Sequence, residues 1–448
     1  MLETNPGKKT RSISPLPKTW YATWISPLLA YRVDGSTKVP HIRRATSSYA
    51  FWLLHADGLQ RTCLHLIQSE HLDNRHLLVF GTRFCVNLDS MSDHPALARA
   101  SAFCEAFNIR VPVLMAPMGN ASPASLAIAV ANAGGLAGCG GVGMQPDAIK
   151  AWASDVRAGS NGAFQLNLWI PDPTPKRDVA AEDVVRRFLE NWGPEVPREA
   201  GDFTLPNFTA QCEALLEAGS PIISSIMGLY PDHFVSRMKA KGIKWFATAT
   251  TVTEAKAAEH AGADVIIVQG MEAGGHRGTF DATKAEGSLV GLFSLLPAVA
   301  DVVKVPLVAA GGIADGRGLA AALLLGASAV QVGTALLRCP EAKIPSAWGD
   351  AIGRTLPEET VITRWFSGRP GRSIATSYVR ATTAPGAPSP APYPVQWGLT
   401  RSMREASMKA NDLEGIWAWA GQSAAMTRAE PAGDLVRRLW DDAQALLR

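Results

Sequence analysis

The chain has 448 residues, 47% hydrophobic and 19% charged, with 40 Gly and a formal net charge of +3. This supports a large buried core and excludes fibrous, coiled-coil and disulfide-scaffold classes. The near-neutral balance gives no reason to expect a nucleic-acid partner. Six cysteines (63, 85, 104, 139, 212 and 339) show no CxxC spacing and read as reduced thiols of a cytoplasmic protein, with no metal site expected.

Residues 1–90 are foreign in composition to the rest of the chain. They hold 11 Lys/Arg against 6 Asp/Glu, and six of the nine His lie before residue 95. Trp20, Trp24 and Trp52 keep neither helical nor alternating spacing. Residues 1–92 are therefore expected to be a poorly ordered or dispensable extension outside the fold, with a basic transit segment as the alternative and Met91 as a natural start.

From residue 111 short apolar, β-rich runs recur at 111–118, 136–141, 164–169, 221–226, 244–249, 265–270, 306–312 and 329–336. Helical patterns alternate with them, as at 122–133, 231–241, 253–261, 289–302 and 316–325. The uncharged stretches 111–146 and 318–337 are broken by Pro117, Asn120, Gly134-Gly135 and Gly326 into strand and helix lengths, so no membrane span is expected. Strand–helix alternation means parallel strands with crossover helices. Eight units predict an α/β fold of the (β/α)8 TIM-barrel type over 93–340, with a doubly wound sheet as the alternative. An insertion is expected at 171–220 after strand three. Residues 341–448 read as a Pro-rich linker (384–394) with helical segments near 397–410 and 434–447 beyond it, forming a cap on the barrel.

In such a barrel chemistry sits where strands end. Those positions hold Ala116, Pro117 and Met118 after strand one, Asn167 within strand three, and Gln269 at the end of strand six. Gly311-Gly312 ends strand seven, and Gln331-Val332-Gly333-Thr334 ends strand eight. Glycines at these last two strands suit a phosphate held by backbone N–H groups, against the simpler reading that they relieve crowding. No GxxxxGK[ST] motif occurs. A single phosphate pocket therefore favours FMN over a nucleoside triphosphate.

His233 and His260 fall on helices, whereas His276 lies between Gly274-Gly275 and Arg277-Gly278 on the loop after strand six. A flexible loop there would carry the imidazole over the barrel mouth as a proton acceptor or donor near neutral pH, with loop bracing as the alternative. The amides of Asn167 and Gln269 both donate and accept, as a flavin's pyrimidine edge and ribityl hydroxyls require.

The segments VPVLMAPM, FQLNLW, VIIVQGMEAGGHRGTF, VPLVAAGGI and AVQVGTALLRCPEA together resemble the nitronate monooxygenase (2-nitropropane dioxygenase) family over about residues 105–430. The resemblance implies an FMN-dependent TIM barrel, monomeric or homodimeric, that oxidises alkyl nitronates with O2 to a carbonyl compound and nitrite. It places Ala116, Pro117 and Met118 against the flavin, with Asn167, Gln269, Gly274 and Gly275 in contact with it. Gly311, Gly312 and the run Gln331, Val332, Gly333 and Thr334 would hold the phosphate, and His276 would be the active-site base or hydrogen-bonding group. Where family members carry a Tyr and a Lys after a YP motif, this chain has Trp397 and Arg401, which leaves the substrate contacts open. The alternatives are an NAD(P)H-dependent FMN reductase of the quinone or enoyl-ACP type and a non-catalytic flavin-binding protein.

Overall fold

Eight parallel strands carry the architecture of this computed structural model. They are β1 (Val113–Met115), β2 (Ala137–Gly140), β3 (Phe164–Trp169), β4 (Ile222–Ile226), β5 (Lys244–Ala249), β6 (Val265–Gln269), β7 (Leu307–Ala310) and β8 (Ala329–Val332). They pair in the order 1-8-7-6-5-4-3-2. A parallel bridge between Leu114 and Leu136 joins the two ends of that series. The Leu136 N–H donates to Val113 O at 3.0 Å and the Met115 N–H to Leu136 O at 2.8 Å, closing the sheet into the expected (β/α)8 barrel.

The structure describes residues 94–448 and, before them, four short strands: Leu29–Tyr31 paired antiparallel with Ile42–Arg44, and Ser48–Leu53 with Thr62–Ile67. The remainder of 1–93 lies outside the described residues, and the expectation of a poorly ordered extension lies there with it. The chain divides into two units, Met1–Met91 and Ser92–Arg448.

Strand residues alternate between two faces. Leu114, Ile222, Phe246, Val265, Ile267, Val308 and Ala329 point inward and fill the lower half of the barrel. Val113, Met115, Leu166, Ile223, Trp245, Ile266, Val268 and Val330 point outward against the helices. The floor is sealed by α1 (Pro95–Phe107), whose Phe103 and Phe107 rings lie 6.3 and 4.9 Å from that of Phe246. This helix starts with Pro at its first turn and ends at Asn108 in the left-handed conformation, φ 52°. The sequence pattern predicts no element at that place.

The ring is formed by α2 (Ala124–Ala133), α3 (Pro146–Gly159), α5 (Phe208–Glu217), α6 (Asp232–Ala240), α7 (Val252–His260), α8 (Leu292–Ala300) and α9 (Gly316–Leu324). Two expected boundaries need correction. The segment 171–220 is not all insertion: α5 is the ring helix of the third unit, and only the stretch before it, with α4 (Val179–Leu189), departs from a minimal barrel. The last helix, α11 (Ala432–Leu447), is not part of the cap. It packs against α9 and α2, burying Leu435, Val436, Leu439 and Ala443 in the barrel's outer core, and completes the ring. A Cβ at Gly316 would collide with Asp442, so only glycine lets these two helices approach as they do.

The cap is therefore the excursion between β8 and α11. It contains α10 (Arg401–Ala410) and two strands, Thr360–Thr363 and Gly371–Ile374, which form a small antiparallel sheet with Gly275–His276 of the loop after β6. Trp365, Phe366, Tyr378, Leu399 and Met403 of the cap share one apolar cluster with Val185 and Leu189 of α4. Among the described residues no helix is long and apolar enough to cross a membrane.

We propose that residues 1–92 are dispensable to this fold, because the barrel's floor is sealed by a helix that begins at Pro95. A chain beginning at Met91 should be soluble and keep the full-length thermal midpoint. Aggregation of that shorter chain would place the preceding segment in the fold.

Candidate active site

A cavity of about 530 Å³ opens at the C-terminal ends of the strands, within the range of cofactor sites. Its floor is set by parity: Ala116, Gly140, Asn167, Thr248, Gln269, Ala310, Gln331 and Gly333 all occupy inward positions at strand ends. Its roof is aromatic, with Trp348, Trp397, Trp417 and Trp419 from the cap.

Most of the expected site residues line this cavity: Ala116, Pro117, Met118, Asn167, Gln269, Gly274, Gly275, His276, Gln331, Gly333 and Thr334. Gly311, Gly312 and Val332 do not. Val332 falls between the inward Gln331 and Gly333, so its side chain is turned into the helix layer and is 1% exposed. Gly311 and Gly312 have φ of 103° and 72° and turn the chain beneath residues 272–273, where a Cβ on Gly311 would stand 2.9 Å from the Ala273 nitrogen. The N–H groups of Gly311, Gly312 and Gly333 donate to no protein acceptor among the described residues. Three unsatisfied amides at the ends of β7 and β8 fit an anion. Gly138 and Gly140 within β2 and Gly143 just after it have GxGxxG spacing. However, α3 begins only at Pro146, and Cβ atoms at the first two would strike the Met115 carbonyl and the Gly119 backbone. These glycines serve barrel packing rather than a pyrophosphate.

His276 is not on a flexible loop. It pairs with Gly371 in the small sheet. Its ring sits between Trp169 and Trp419, with centroids 4.5 and 4.7 Å away. Gly371 makes this possible, since a Cβ there would come within 2.7 Å of the Trp419 ring. Nε2 lies 2.7 Å from Ser367 Oγ. That hydroxyl also accepts from the Arg369 N–H at 3.2 Å and can donate to Arg369 O at 3.4 Å, so it can serve either tautomer of the imidazole. Nδ1 bonds to no protein atom and is not sealed off, so it faces the cavity. Burial, reinforced by the Arg369 guanidinium, pushes the imidazole pKa down to about 3. His276 is a neutral hydrogen-bonding group and a weak base.

The loop that carries it is pinned from below. Gln269 Nε2 donates to His276 O at 3.1 Å, and its Oε1 accepts from the Gly278 N–H at 2.8 Å. The Gln269 amide thus fixes the loop while its side chain borders the cavity. Glu254 of α7 accepts from Thr279 Oγ1 at 2.9 Å and the Phe280 N–H at 2.7 Å. Arg277 Nη1 donates to Gly270 O at 2.6 Å, and Arg372 Nε to Met271 O at 2.9 Å.

Sequence reasoning missed four contributors. Gln165 is fully buried below the cavity. Its Nε2 donates to Gln331 Oε1 at 3.2 Å, and its Oε1 has no partner. The alternation in FQLNLW, which puts Gln165, Asn167 and Trp169 on one face, is the available signal. Trp169 itself and Ser367 carry none as site residues. Arg404 lines the cavity with its Cζ 4.6 Å above the Trp417 ring. Of the two departures visible in sequence, Trp397 lines the cavity, whereas Arg401 lies on the surface paired with Glu405 at 2.7 Å.

A closed parallel barrel with a cavity at the C-terminal ends of its strands and an imidazole over its mouth defines a barrel enzyme. The sequence profile described as nitronate monooxygenase matches residues 100–442. The chain is 37% identical to the nitronate monooxygenase of Paraburkholderia phytofirmans over 73% of this chain and 91% of that protein. It is 35% identical to that of Pseudomonas aeruginosa over 76% and 98%. Among solved structures, nitroalkane oxidase from Streptomyces ansochromogenes superposes with a TM-score of 0.70 at 35% identity, covering 78% of this chain and 99% of that one. FabK from Thermotoga maritima superposes with 0.61 at 26% identity, covering 77% and 96%. The chain belongs to the nitronate monooxygenase family, a family of flavin-dependent oxidoreductases.

The depressed pKa of His276 fixes the sign of a pH effect. An unfolded histidine binds its proton near pH 6.5 and the folded one only near 3. The stabilisation is complete above 6.5 and is lost as pH falls toward 3. Compared with His276→Gln, the wild type should lose extra stability in that window, with a slope approaching about 1.4 kcal/mol per pH unit. Urea midpoints measured across the window check this, and parallel curves for the two proteins would contradict it.

Proposed function

We propose that the chain is an FMN-dependent nitronate monooxygenase that oxidises alkyl nitronates with O2 to a carbonyl compound and nitrite. The observation that carries the reading is the neutral imidazole of His276, open at Nδ1 to a cavity whose floor carries the amide side chains of Asn167, Gln269 and Gln331 and the free N–H of Gly333. A single phosphate at the ends of β7 and β8 would take that N–H, with those of Gly311 and Gly312 beside the cavity. The buried acceptor on Gln165 fits a ribityl hydroxyl, and Asn167 and Gln331 offer further amide groups. FMN, when bound, supplies the redox chemistry with O2.

The protein's own residues bind, orient and desolvate the substrate. A nitronate is an anion with charge on its oxygens. In its Nδ1–H tautomer His276 donates to one of them, with Nε2 accepting from Ser367, and the buried Arg369 near the ring favours negative charge at that spot. Trp169 and Trp419 flank the imidazole and exclude water, which strengthens that hydrogen bond. With its pKa near 3, His276 abstracts carbon-bound protons poorly. The substrate therefore enters already as the nitronate.

Purified protein should be yellow, and heat-released cofactor should chromatograph as FMN; stoichiometric FAD would overturn the assignment. Gly333 stands with its Cβ position 3.3 Å from Ala116 Cβ, at the cavity floor. Gly333→Val should therefore lose flavin by about tenfold or more, since the branched side chain fills the cradle. A variant that retains FMN at wild-type level would move the phosphate elsewhere.

His276→Asn keeps a donor and removes a base. The kcat/KM for a preformed nitronate and for its parent nitroalkane should fall together, by about 10- to 100-fold. Loss confined to the nitroalkane would make His276 a general base. The resemblance to FabK makes a reductase the second reading. Flavin reduction by NADPH but not by nitronate, mixed anaerobically, would favour it.

A further inference from the structure

The two indoles that flank His276 are backed differently. Behind Trp419 the cap is solid: its ring meets that of Phe366 edge-on at 5.0 Å, and Gly371 is pressed against it. Behind Trp169 lies a second cavity of about 410 Å³, with an apolar lining from Val142, Phe203, Leu205, Phe208 and Val395. It opens to solvent at the exposed Thr174 and Thr204. Its charged groups are spent on partners: Arg177 pairs with Asp202 and Glu182, and Asp172 stands 3.2 Å from Arg369 Nε. Trp169 and Val142 line both this cavity and the one that holds His276. Trp397 continues the wall, but it is backed in turn by Phe203, stacked on it at 5.9 Å. Trp169 is therefore the place where the wall is one ring thick. It ends β3, where its backbone is fixed by pairing with Ile226. The indole N–H groups of Trp152, Trp245 and Trp348 donate at 2.9, 3.0 and 3.1 Å, whereas that of Trp169 meets no protein acceptor among the described residues. A ring that faces open space on two sides forgoes the dispersion contacts of a core position, so packing alone does not account for a tryptophan here.

The Trp169 ring lies 4.5 Å from the His276 imidazole, so an alkyl body that extends from His276 toward β3 ends against it. We propose that Trp169 is a specificity-determining residue: it is the end wall of the substrate site, closing it against the second cavity and limiting the length of the alkyl body. The space beyond the wall is apolar and of a size to take the rest of a longer chain. This rests on the nitronate reading for the reacting end, while the wall and its effect on an inert ligand are independent of it.

The test uses the flavin-loaded enzyme and two pairs of probes. Propanoate and octanoate, inert planar anions shaped like nitronates, are titrated calorimetrically. The nitronates of nitropropane and nitrooctane are compared by kcat/KM. Trp169→Ala joins the two cavities and should raise the affinity ratio of octanoate to propanoate by about 10- to 100-fold, since each buried methylene contributes about fourfold. The kcat/KM ratio of the two nitronates should shift in the same direction. Absolute rates should fall on both nitronates because His276 loses a flank, so the ratio is the readout. Trp169→Phe should shift both ratios the same way by less. Thr204→Trp, on the far rim, fills the second cavity; it should cancel the gain in Trp169→Ala and leave the wild-type ratios unchanged. Ratios unchanged in Trp169→Ala and Trp169→Phe would overturn the proposal and leave Trp169 as a brace for His276 alone. So would a gain in Trp169→Ala that Thr204→Trp leaves intact. Weaker octanoate binding on Thr204→Trp in the otherwise wild-type chain would overturn it too, by showing that the cavities already communicate. A Trp169-dependent shift for the carboxylates in an enzyme that oxidises no nitronate would uphold the wall and overturn the reaction alone.

Discussion

A buried imidazole facing a cavity has to stay uncharged, and much of the polar architecture above the barrel serves to hold His276 in that state. Its ring is clamped between two indoles, and its Nε2 is occupied by Ser367. The backbone around it is bound by Gln269 from β6 and Glu254 from α7. These ties reach down into the barrel rather than out to solvent. The mouth of the site is therefore as rigid as the sheet beneath it, which is what a hydrogen bond needs to act on charge without reorganising.

The same region carries buried charge of both signs, with Glu254 and Glu272 acting on Arg277 and Glu272 on Arg372. Arg277, Arg369 and Arg372 are 1%, 1% and 5% exposed. Burial holds the Arg277 pKa down to about 10, and Arg369 Nη1 is left without a partner. Asp172 stands 3.2 Å from Arg369 Nε, with its own pKa raised by burial and lowered in part by that guanidinium. Desolvated cations without full pairing are costly in a protein that binds nothing. In a site that receives an anion, their field strengthens binding when solvent is expelled.

Much of this is legible in the sequence, and the failures have physical causes. Short apolar runs mark the eight strands because both faces of each are buried, one by the barrel interior and one by helices. Parity alone turns Val332 outward once Gln331 and Gly333 face the site. The Gly311-Gly312 pair reads as part of the cavity wall, but its positive φ values turn the chain under another loop and leave it off the lining. Glycines on both sides of His276 read as a mobile loop. What immobilises it is a strand almost a hundred residues later, Gly371–Ile374, a pairing with no local signature. Arg404 is hidden similarly: Arg401 and Arg404 look equivalent in sequence, and only the helix turn decides that one meets Glu405 and the other Trp417.

The position of α11 changes how the cap must be understood. The cap is not a tail laid over a finished barrel but an excursion inside the eighth βα unit, anchored at β8 on one side and at α11 on the other. The Ala432 N–H bonds the Glu341 carboxylate at 3.2 Å, so the exit from the excursion is tied to its entry. The Gly421 N–H bonds Thr334 Oγ1 at 3.0 Å, tying its far part to the end of β8. The small sheet adds a third anchor through the His276 strand. A cap fixed at three places cannot swing open as one body without breaking the barrel's own closure. Opening of the cavity then rests on side-chain movement rather than on a hinged lid.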